Sequence, residues 1–430
     1  MDILIIIISG ILFFALIETP LFTVIAGLSI VSFYFVGKDF SSIQTIVIEM
    51  NRLASMPVLV ALPLFTFTGC LLAETGAPKR ITNLMRALTG RLPGGIAIAA
   101  LGSCAFFTAL TGASGVTIVA IGGVLYPVLR AQEYEDNFSL GLLTTSGSLG
   151  LLFAPSLPII LYGVVAQVDI ARIFRAALLP GILLIAILSI YSFFHEYLIK
   201  KTKRHIVLKK ASLDDVKIAL KEGIWDWPVI FVIIFGIYGG FVTIAEVSAL
   251  VLVYVLIVEC LILKEVDFFK QLPVIIIEST MVSGAIMVIL GVALGFTGYL
   301  VDEEIPGRLL SFLVNLTENK LLFLAGLNVF LLAAGCLMDI FSAIIIIVPI
   351  IVPVAMKYGI DPVHLCVIFL LNLEIGYSTP PVGINLFIAS LKFNKPVTQL
   401  YRASLPYIVL MIFFLVIVTY FPSLSLFLVR

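Results

Sequence analysis

Long apolar stretches fill most of this chain, and short polar or glycine-rich breaks interrupt several of them. Residues 4–17, 229–241, 247–263 and 408–421 are almost continuously apolar and lack the period-two alternation that transmembrane barrel strands show. Hydrophobic residues make up 61% of the chain and charged residues 12%, about half of the share usual in soluble domains. The pattern therefore predicts an all-α polytopic membrane protein.

Because a span of about 20 apolar residues crosses a bilayer, the chain is expected to contain about ten crossings and two helical hairpins. The crossings are expected at residues 3–17, 21–36, 57–73, 138–167, 178–194, 228–241, 245–263, 279–300, 363–391 and 405–421. The hairpins are expected at 94–129 and 321–356, where each stretch is too long for one span and is interrupted near its middle. Re-entrant helix pairs fit such stretches better than single rods. The crossings at 138–167 and 363–391 carry internal breaks and are expected to be broken helices.

The breaks occupy corresponding positions in the two halves of the chain. They fall at residues 111–115 and 144–156 in the first half and at 335–342 and 376–381 in the second. Three pairs of residues share an offset of 226: Pro127 with Pro353, Gly150 with Gly376, and Pro155 with Pro381. Several matches in order at one offset indicate an internal repeat.

Lys and Arg are distributed unevenly between the two sides of the predicted membrane. Placing both termini outside puts most of the 26 Lys and Arg residues on the cytoplasmic side, as the positive-inside rule requires. The two halves then cross in opposite directions, so they form two inverted-topology repeats. The predicted division is scaffold helices and an interfacial arm in 1–56, the first repeat in 57–194, a basic cytoplasmic loop in 195–227, scaffold helices and a second arm in 228–278, and the second repeat in 279–430. The arms, residues 44–56 and 266–277, look amphipathic.

Short polar residues cluster at the breaks, where half-helix ends present free N–H and C=O groups at membrane depth. Gly112, Ser114 and Gly335 allow close backbone approach. The candidates to contact a solute are Ser146, Ser148, Ser156, Ser342, Ser378, Pro380 and Asn385, and Thr379 adds a further hydroxyl. Hard cations such as Na⁺ prefer neutral oxygen ligands of this kind. The alternative is ordinary helix packing through small residues.

Asp339 is the sharpest single candidate, because a carboxylate in an apolar hairpin is costly and by default functional. It either binds a cation directly or accepts N–H bonds and braces the hairpin tip, and both alternatives stay open. Glu374, close to the second break, is a weaker candidate of the same sort. Arg52 and Arg308 are placed at the outer face, where they either anchor to lipid headgroups or dock an acidic partner.

Catalytic chemistry has little support in the sequence. His195 and His205 fall in the predicted cytoplasmic loop and His364 at a span end, so no intramembrane Ser/His pair or metal-binding cluster is visible. The sequence also lacks a Gly-x4-Gly-Lys-Ser/Thr phosphate loop, so ATP is not expected to drive the chain directly. We therefore expect a protein that is not an enzyme.

Several motifs taken together resemble those of one family. They are Leu92-Pro93-Gly94-Gly95, Thr111 to Gly115, Gly335 to Asp339, Pro349 with Pro353, and Gly376 through Gly383 ending in Asn385. On these motifs the chain resembles the large membrane subunit of TRAP transporters (tripartite ATP-independent periplasmic transporters), within a wider superfamily of ion transporters. The resemblance implies Na⁺-driven uptake of an organic acid across the bacterial inner membrane, by an elevator movement of a transport domain beside a scaffold. Both termini would then be periplasmic.

The resemblance also implies partners and ion sites. A soluble periplasmic binding protein would deliver the solute, and a small four-helix membrane subunit would accompany the chain. By this resemblance two or more Na⁺ sites are expected, and the residues that match the family's sites are Ser103, Gly112, Ser114, Gly150, Gly335, Asp339, Gly376 and Thr379. Where the family often has small residues this chain has Phe106 and Phe107, so the packing of the first hairpin stays open. C4-dicarboxylates and sialic acid are both open as solutes. The alternatives are a standalone Na⁺/dicarboxylate symporter of the same superfamily and, from another class, a membrane-embedded enzyme.

Overall fold

The computed structural model describes residues 55–89, 92–202, 213–302 and 319–429, together with a few isolated positions, and the elements in these ranges are all helical. Several predictions fall outside the described residues: the crossings at 3–17 and 21–36, most of the arm at 44–56, His205, Arg52 and Arg308. They stay predictions.

The first half contains seven helices within the described residues. They are α1 (Ala61–Ala73), α2 (Ala77–Thr89), α3 (Gly95–Thr111), α4 (Ser114–Ala131), α5 (Asp136–Ser146), α6 (Leu157–Ala166) and α7 (Ile170–Thr202). A 3₁₀ turn, Pro57–Val60, leads into α1, and another, Leu149–Leu152, lies between α5 and α6. The chain bends by 77° between α1 and α2 and by 45° before α6. The second bend falls at the predicted break.

The second half follows a similar order. Its helices are α8 (Leu213–Glu222), α9 (Trp227–Ile233), α10 (Ile244–Leu256), α11 (Gln271–Asp302), α12 (Lys320–Leu337), α13 (Ile340–Lys357), α14 (Pro362–Gly376), α15 (Ile384–Phe393), α16 (Val397–Tyr420) and α17 (Ser423–Leu426). π-helical turns extend α9 and α10. A reciprocal capping box between Thr243 and Glu246 starts α10, so capping accounts for this glutamate. Residues 377–383 separate α14 from α15, as the sequence predicts.

Both predicted hairpins are helix pairs with two-residue tips. Gly112 and Ala113 separate α3 from α4, and Met338 and Asp339 separate α12 from α13. Gly112 has φ +67°, a left-handed conformation that glycine adopts without steric cost. The arms have 17 or 18 residues, which corresponds to about 26 Å of helix. By length and composition α4, α12 and α13 could each cross a membrane, so re-entry stays a prediction.

The described residues include seven helices that are long and apolar enough to cross a membrane, or up to nine if each of two bent pairs is one span. The chain is thus a multi-pass membrane protein. Helices run across two of the predicted boundaries. The arm at 266–277 is not separate from the next crossing, because α11 runs without a break from Gln271 to Asp302 and Pro273 falls in its first turn, where proline is tolerated. The loop predicted at 195–227 begins inside α7 and contains α8.

The two halves of the chain pack through exchanged elements. Helix α4 of the first half packs against α15 of the second half, and α13 of the second half packs against α6 of the first half. α5 packs along α16, and Asp136 at the start of α5 accepts a hydrogen bond from Lys395 Nζ at 2.7 Å, before α16. This contact raises the pKa of Lys395. Each hairpin therefore lies against the broken helix of the other half.

Glycines at the breaks allow backbones to meet. A Cβ on Gly376 would lie 2.7 Å from the Cα atom of Gly335 on the second hairpin. A Cβ on Gly150 would lie 2.3 Å from the carbonyl oxygen of Ala105 on the first hairpin. Gly150 and Gly376 are one of the pairs related by the sequence offset, so the same close approach occurs at both breaks. The peptide bonds before Pro155 and Pro381, another such pair, are both cis.

Arg80 on α2 joins three carboxylates. Its Nε donates to Asp226 Oδ2 and its Nη1 to Glu265 Oε1, both at 2.9 Å, and its Nη2 donates to Glu259 Oε1 at 2.5 Å. Glu265 Oε2 also accepts from the backbone N–H of Gly76 at 2.6 Å. Although burial opposes the charged form, the Gly76 and Arg80 contacts lower the pKa of Glu265. The Arg80 side chain is only 11% exposed. Through its three carboxylate partners it ties α2 to the segments that flank α9 and α10.

We predict that Arg80→Gln lowers the free energy of unfolding by about 3 kcal/mol, because removing one member of a buried ion cluster leaves the other charges uncompensated. Denaturation of the purified protein in detergent micelles measures the change. The matched control is Lys79→Gln, an exposed neighbour on the same helix, which should change stability by less than about 0.5 kcal/mol. Equal stability of the two variants would contradict a structural role for the cluster.

Candidate functional site

A cavity of about 900 Å³ lies where the tips of the two hairpins meet. The first hairpin contributes its tip and one face of α4, and the second contributes its tip and the first turn of α13. Leu151 from the first break, Tyr377 from the second break and one face of α15 complete most of the wall. The cavity therefore touches both hairpins and both broken helices.

The tip of the first hairpin presents an uncapped helix start to this cavity. Ala113 occupies the N-cap position of α4 and offers no side-chain acceptor to the first N–H groups of the helix. Gly112, Ala113, Ser114 and Gly115 all line the cavity. Because unpaired N–H groups and the helix dipole favour negative charge, this side of the cavity suits an anion.

The tip of the second hairpin is capped instead. Asp339 Oδ1 accepts hydrogen bonds from the backbone N–H groups of Phe341 and Ser342, both at 3.0 Å, and Oδ2 accepts from the Ser342 hydroxyl. The backbone N–H of Ile340 donates to Tyr377 Oη at 2.5 Å. Asp339 thus makes the bracing contacts that the sequence offered as one of its two roles. The carboxylate also lines the cavity, so it is placed where it could contact a bound cation as well.

Asn385 joins the two halves at the cavity. Its side-chain oxygen accepts a hydrogen bond from Ser114 Oγ at 2.7 Å, and its backbone N–H donates to the carbonyl oxygen of Tyr377 at 3.0 Å. Its side-chain nitrogen lies 3.5 Å from the carbonyl oxygen of Thr144, at the limit of a hydrogen bond. One fully buried amide therefore contacts the first hairpin tip and both broken helices.

The first broken helix is also joined to its own hairpin. Thr108 Oγ1 lies 2.8 Å from the carbonyl oxygen of Gly147 and 2.7 Å from Thr117 Oγ1. Gly147 follows the last residue of α5, where backbone carbonyls lose their intrahelical donors. Thr108 and Thr117 come from the two arms of the hairpin, so a single hydroxyl network holds both arms to the break.

The residues predicted to bind Na⁺ divide into two groups. Gly112, Ser114 and Asp339 line the cavity. The others lie in the surrounding helix packing: Ser103, Gly150, Gly335, Gly376 and Thr379. Thr379 Oγ1 donates to a backbone carbonyl oxygen at 2.7 Å, while the buried hydroxyl of Ser103 has no hydrogen-bond partner among the described residues.

The residues predicted to contact a solute are mostly buried behind the cavity wall. Ser342 bonds to Asp339, and Asn385 bonds to Ser114. The side-chain oxygen of Ser148, just after α5, lies 3.3 Å from the backbone carbonyl oxygen of Thr145. Pro380 is exposed within the second break. The structure therefore brings Ser342 and Asn385 against the hairpin tips and leaves Pro380 away from the cavity lining.

Unpartnered polar atoms concentrate near the breaks. Ser146, Ser156 and Ser378 are fully buried, and their hydroxyls lack hydrogen-bond partners within the described ranges. Glu374 is also fully buried, and both of its carboxylate oxygens lack partners there. Buried polar groups without partners are rare and call for an explanation such as an ion or water. Each break therefore holds buried polar groups that could pair with a cation or a proton, and at the second break these groups include a carboxylate.

Among the cavity residues that sequence reasoning missed, two bear on the chemistry of the site. Tyr377 was read only as part of the second break, and its hydrogen bond to Ile340 at the second hairpin tip could not be inferred from spacing. The positive-inside rule places Lys392 among the cytoplasmic cations and gives it no further role. Its signal was the four-residue spacing with Ile384 and Ile388, which puts all three on one face of α15, the face that lines the cavity.

Comparisons with known proteins agree with this architecture. A family model described as the DctM component of tripartite ATP-independent periplasmic transporters matches residues 8–424. The isethionate TRAP transporter permease protein DctMQ of Oleidesulfovibrio alaskensis is 34% identical to this chain. The match covers 88% of this chain and 59% of that relative's length. The C4-dicarboxylate TRAP transporter large permease protein DctM of Pseudomonas aeruginosa is 32% identical over 90% of this chain and 89% of its own.

A solved structure shares the fold. The crystal structure of the YdaH transporter from Alcanivorax borkumensis matches with a TM-score of 0.62 over 90% of each chain. The sequences are only 14% identical, so this likeness concerns the fold alone.

We predict that the bond between Ser114 and Asn385 contributes about 1 kcal/mol to folding, the usual net value of a buried neutral hydrogen bond. A double-mutant cycle with Ser114→Ala and Asn385→Ala, followed by denaturation in micelles, measures the coupling. Ser103→Ala combined with Asn385→Ala is the matched control, because the Ser103 hydroxyl is buried without a partner. A coupling as small as in the control cycle would show that the contact does not join the halves.

Proposed function

Because this chain belongs to the DctM family of tripartite ATP-independent periplasmic transporters, we propose that it is the membrane subunit through which a Na⁺-coupled importer moves an organic acid. Its relatives are transporter permease components and not enzymes. The observation that carries the proposal is the single cavity bounded by both hairpin tips and both breaks. Ligands of transporters bind at such junctions of discontinuous helices.

The anionic solute is proposed to bind at the first hairpin tip. The uncapped start of α4 offers the N–H groups of Ser114 and Gly115 to the cavity, and such helix starts bind carboxylates readily. The second tip attracts an anion less than the first, because Asp339 already places a carboxylate on the start of α13. This difference in polarity between the tips supports a solute orientation with its carboxylate toward α4.

Na⁺ is proposed to bind where backbone carbonyls gather beside the tips. The last carbonyls of α3, before Gly112, lie at the negative end of that helix, and Gly150 brings a second backbone against α3. At the other tip Gly335 and Gly376 bring two backbones together, and Thr379 keeps its oxygen lone pairs beside them. Oxygen groups of this kind are the ligands that hard cations prefer.

The packing of the helices into two groups supports an elevator movement. α1 packs mainly with α10 and α11, and α9 packs with α10, while the two hairpins and the two broken helices pack with one another and with α2 and α16. We propose that the first group acts as scaffold and the second as the transport domain. The proposed inverted repeats agree with the exchanged packing of α4 with α15 and of α13 with α6.

The remaining parts of the proposal concern partners and the solute. A periplasmic binding protein would deliver the acid, a small four-helix membrane subunit would flank the scaffold, and the complex would lie in the bacterial inner membrane. Arg52 and Arg308 are proposed as docking residues. The relatives are named for isethionate and for C4-dicarboxylates, both of which are organic anions, and a sialic acid is retained beside them.

Reconstitution tests the proposal directly. The chain and its small subunit are incorporated into liposomes, and uptake of radiolabelled succinate, isethionate and N-acetylneuraminate is followed with and without a Na⁺ gradient and the binding protein. We expect accumulation of one of these acids only when the gradient and the binding protein are both present. Uptake without the binding protein would identify a standalone symporter, and no uptake under any gradient would contradict a transport function.

A second prediction separates the two roles of Asp339. Asparagine caps helices as well as aspartate does, so Asp339→Asn should preserve the start of α13 while removing the negative charge. We expect the Na⁺ concentration for half-maximal uptake to rise about tenfold, the equivalent of about 1.4 kcal/mol of cation binding.

The matched control for this substitution is Asp361→Asn. Asp361 caps α14 through the N–H of Val363 at 2.8 Å and is not part of the cavity lining. Its variant should keep the Na⁺ dependence of the parent protein. If Asp339→Asn also leaves that dependence unchanged, the carboxylate only braces the tip.

A further inference from the structure

Lys392 is the one cation among the described residues that line the cavity, and the other charged lining residues are Asp339 and Glu74. The charge of Asp339 is engaged by two N–H groups and a hydroxyl at the start of α13. Glu74 is exposed at the end of α1. Lys392 is exposed too and makes no ion pair with a described residue within 4 Å. Its ammonium group is therefore available to an anion that enters the cavity.

The end of the Lys392 side chain lies over the first hairpin. A Cβ built on Gly123 of α4 would come within 2.9 Å of both Cε and Nζ of Lys392, so only glycine leaves room for the ammonium group in this position. Lys392 lies in the last turn of α15, where the helix dipole alone favours a cation. The dipole does not account for the placement of its ammonium group over a glycine of another helix.

A lining stripe connects this position with the hairpin tip. Val116, Val119, Ala120 and Gly123 succeed one another on one face of α4 and all line the cavity. Gly123 is eight residues beyond Gly115, so the ammonium group lies about 12 Å along the helix from the tip. The ammonium group of Lys392 is thus too far from the tip of the first hairpin to bind the same carboxylate as the start of α4.

We infer that Lys392 and the α4 face ending at Gly123 form a second carboxylate-binding position, which an organic acid occupies on its way between the hairpin tips and the end of the cavity at Lys392. The inference rests on the proposed transport of an organic acid for its role, but the position itself is defined by charge and geometry. Its preferred ligand is a carboxylate, because a lysine ammonium binds such groups through charge-assisted hydrogen bonds.

The test of the position uses a reporter cysteine. Val119 lines the cavity one helical turn before Gly123 and is 44% exposed. Val119→Cys is labelled in parallel with a negatively charged sulfonate and a positively charged trimethylammonium methanethiosulfonate reagent. The parent protein, whose five cysteines include the half-buried Cys70, provides the background. Addition of succinate or N-acetylneuraminate should slow labelling by the anionic reagent.

Three variants are made in this reporter background. Lys392→Gln should lower the ratio of anionic to cationic labelling roughly tenfold, because one nearby charge acts on the two reagents in opposite directions. Gly123→Ala should lower the ratio in the same sense, since its methyl group displaces only the flexible end of Lys392 and alanine favours the helix. Lys357→Gln, another exposed last-turn lysine away from the cavity lining, should leave the ratio unchanged. An unchanged ratio in the first two variants would overturn the inference.

Uptake measurements distinguish this inference from the proposed function. In reconstituted complexes Lys392→Gln should raise the apparent KM for the transported acid about tenfold with little change in maximal rate, and Lys392→Arg should restore it. An unchanged KM would place the position off the solute path and overturn the inference. If the wild type accumulates none of the acids while the labelling ratio still falls, the proposed function fails and the anion position stands.

Discussion

The structure depends on one constraint, that backbone groups released by broken helices inside an apolar environment must find partners. Both breaks and the second hairpin tip meet this requirement with a few polar side chains. Asn385 bonds to the first tip and to the backbone of the second break, and Thr108 bonds to the end of α5. At the second tip Asp339 and Tyr377 accept the first N–H groups of α13. Because the bond between Ser114 and Asn385 joins the two halves, the breaks converge on one cavity.

Only the second tip satisfies the constraint with a side chain of its own, and this difference between the tips gives the cavity its polarity. Asp339 supplies a carboxylate to the start of α13, whereas Ala113 leaves the start of α4 without a side-chain acceptor. An anion is therefore favoured at the first tip and a cation beside the second. Lys392 extends the anion-favouring side along α4. A carrier of an acid together with a cation needs this separation of charge within one cavity.

The helices around the cavity are held by contacts of a different kind. Gly150 and Gly376 allow direct backbone approach at the breaks, which brings carbonyl groups together without side-chain ligands. Away from the cavity, Arg80 ties α2 to three carboxylates. The breaks are thus joined to the hairpins by neutral backbone contacts, and the charged cluster of Arg80 lies between α2 and the helices proposed as scaffold.

The sequence by itself determined the membrane class, the two hairpins and the positions of the breaks, because apolar run length and the conformational preferences of glycine and proline act locally. It also identified Asp339 and the offset that pairs Gly150 with Gly376. Only the tertiary structure decided that Ser114 meets Asn385, a residue 271 positions away, and that Lys392 lies over Gly123. It also decided that residues 271–302 form one helix. Such contacts depend on how whole helices pack, and the packing direction of an apolar helix is not encoded in its own composition.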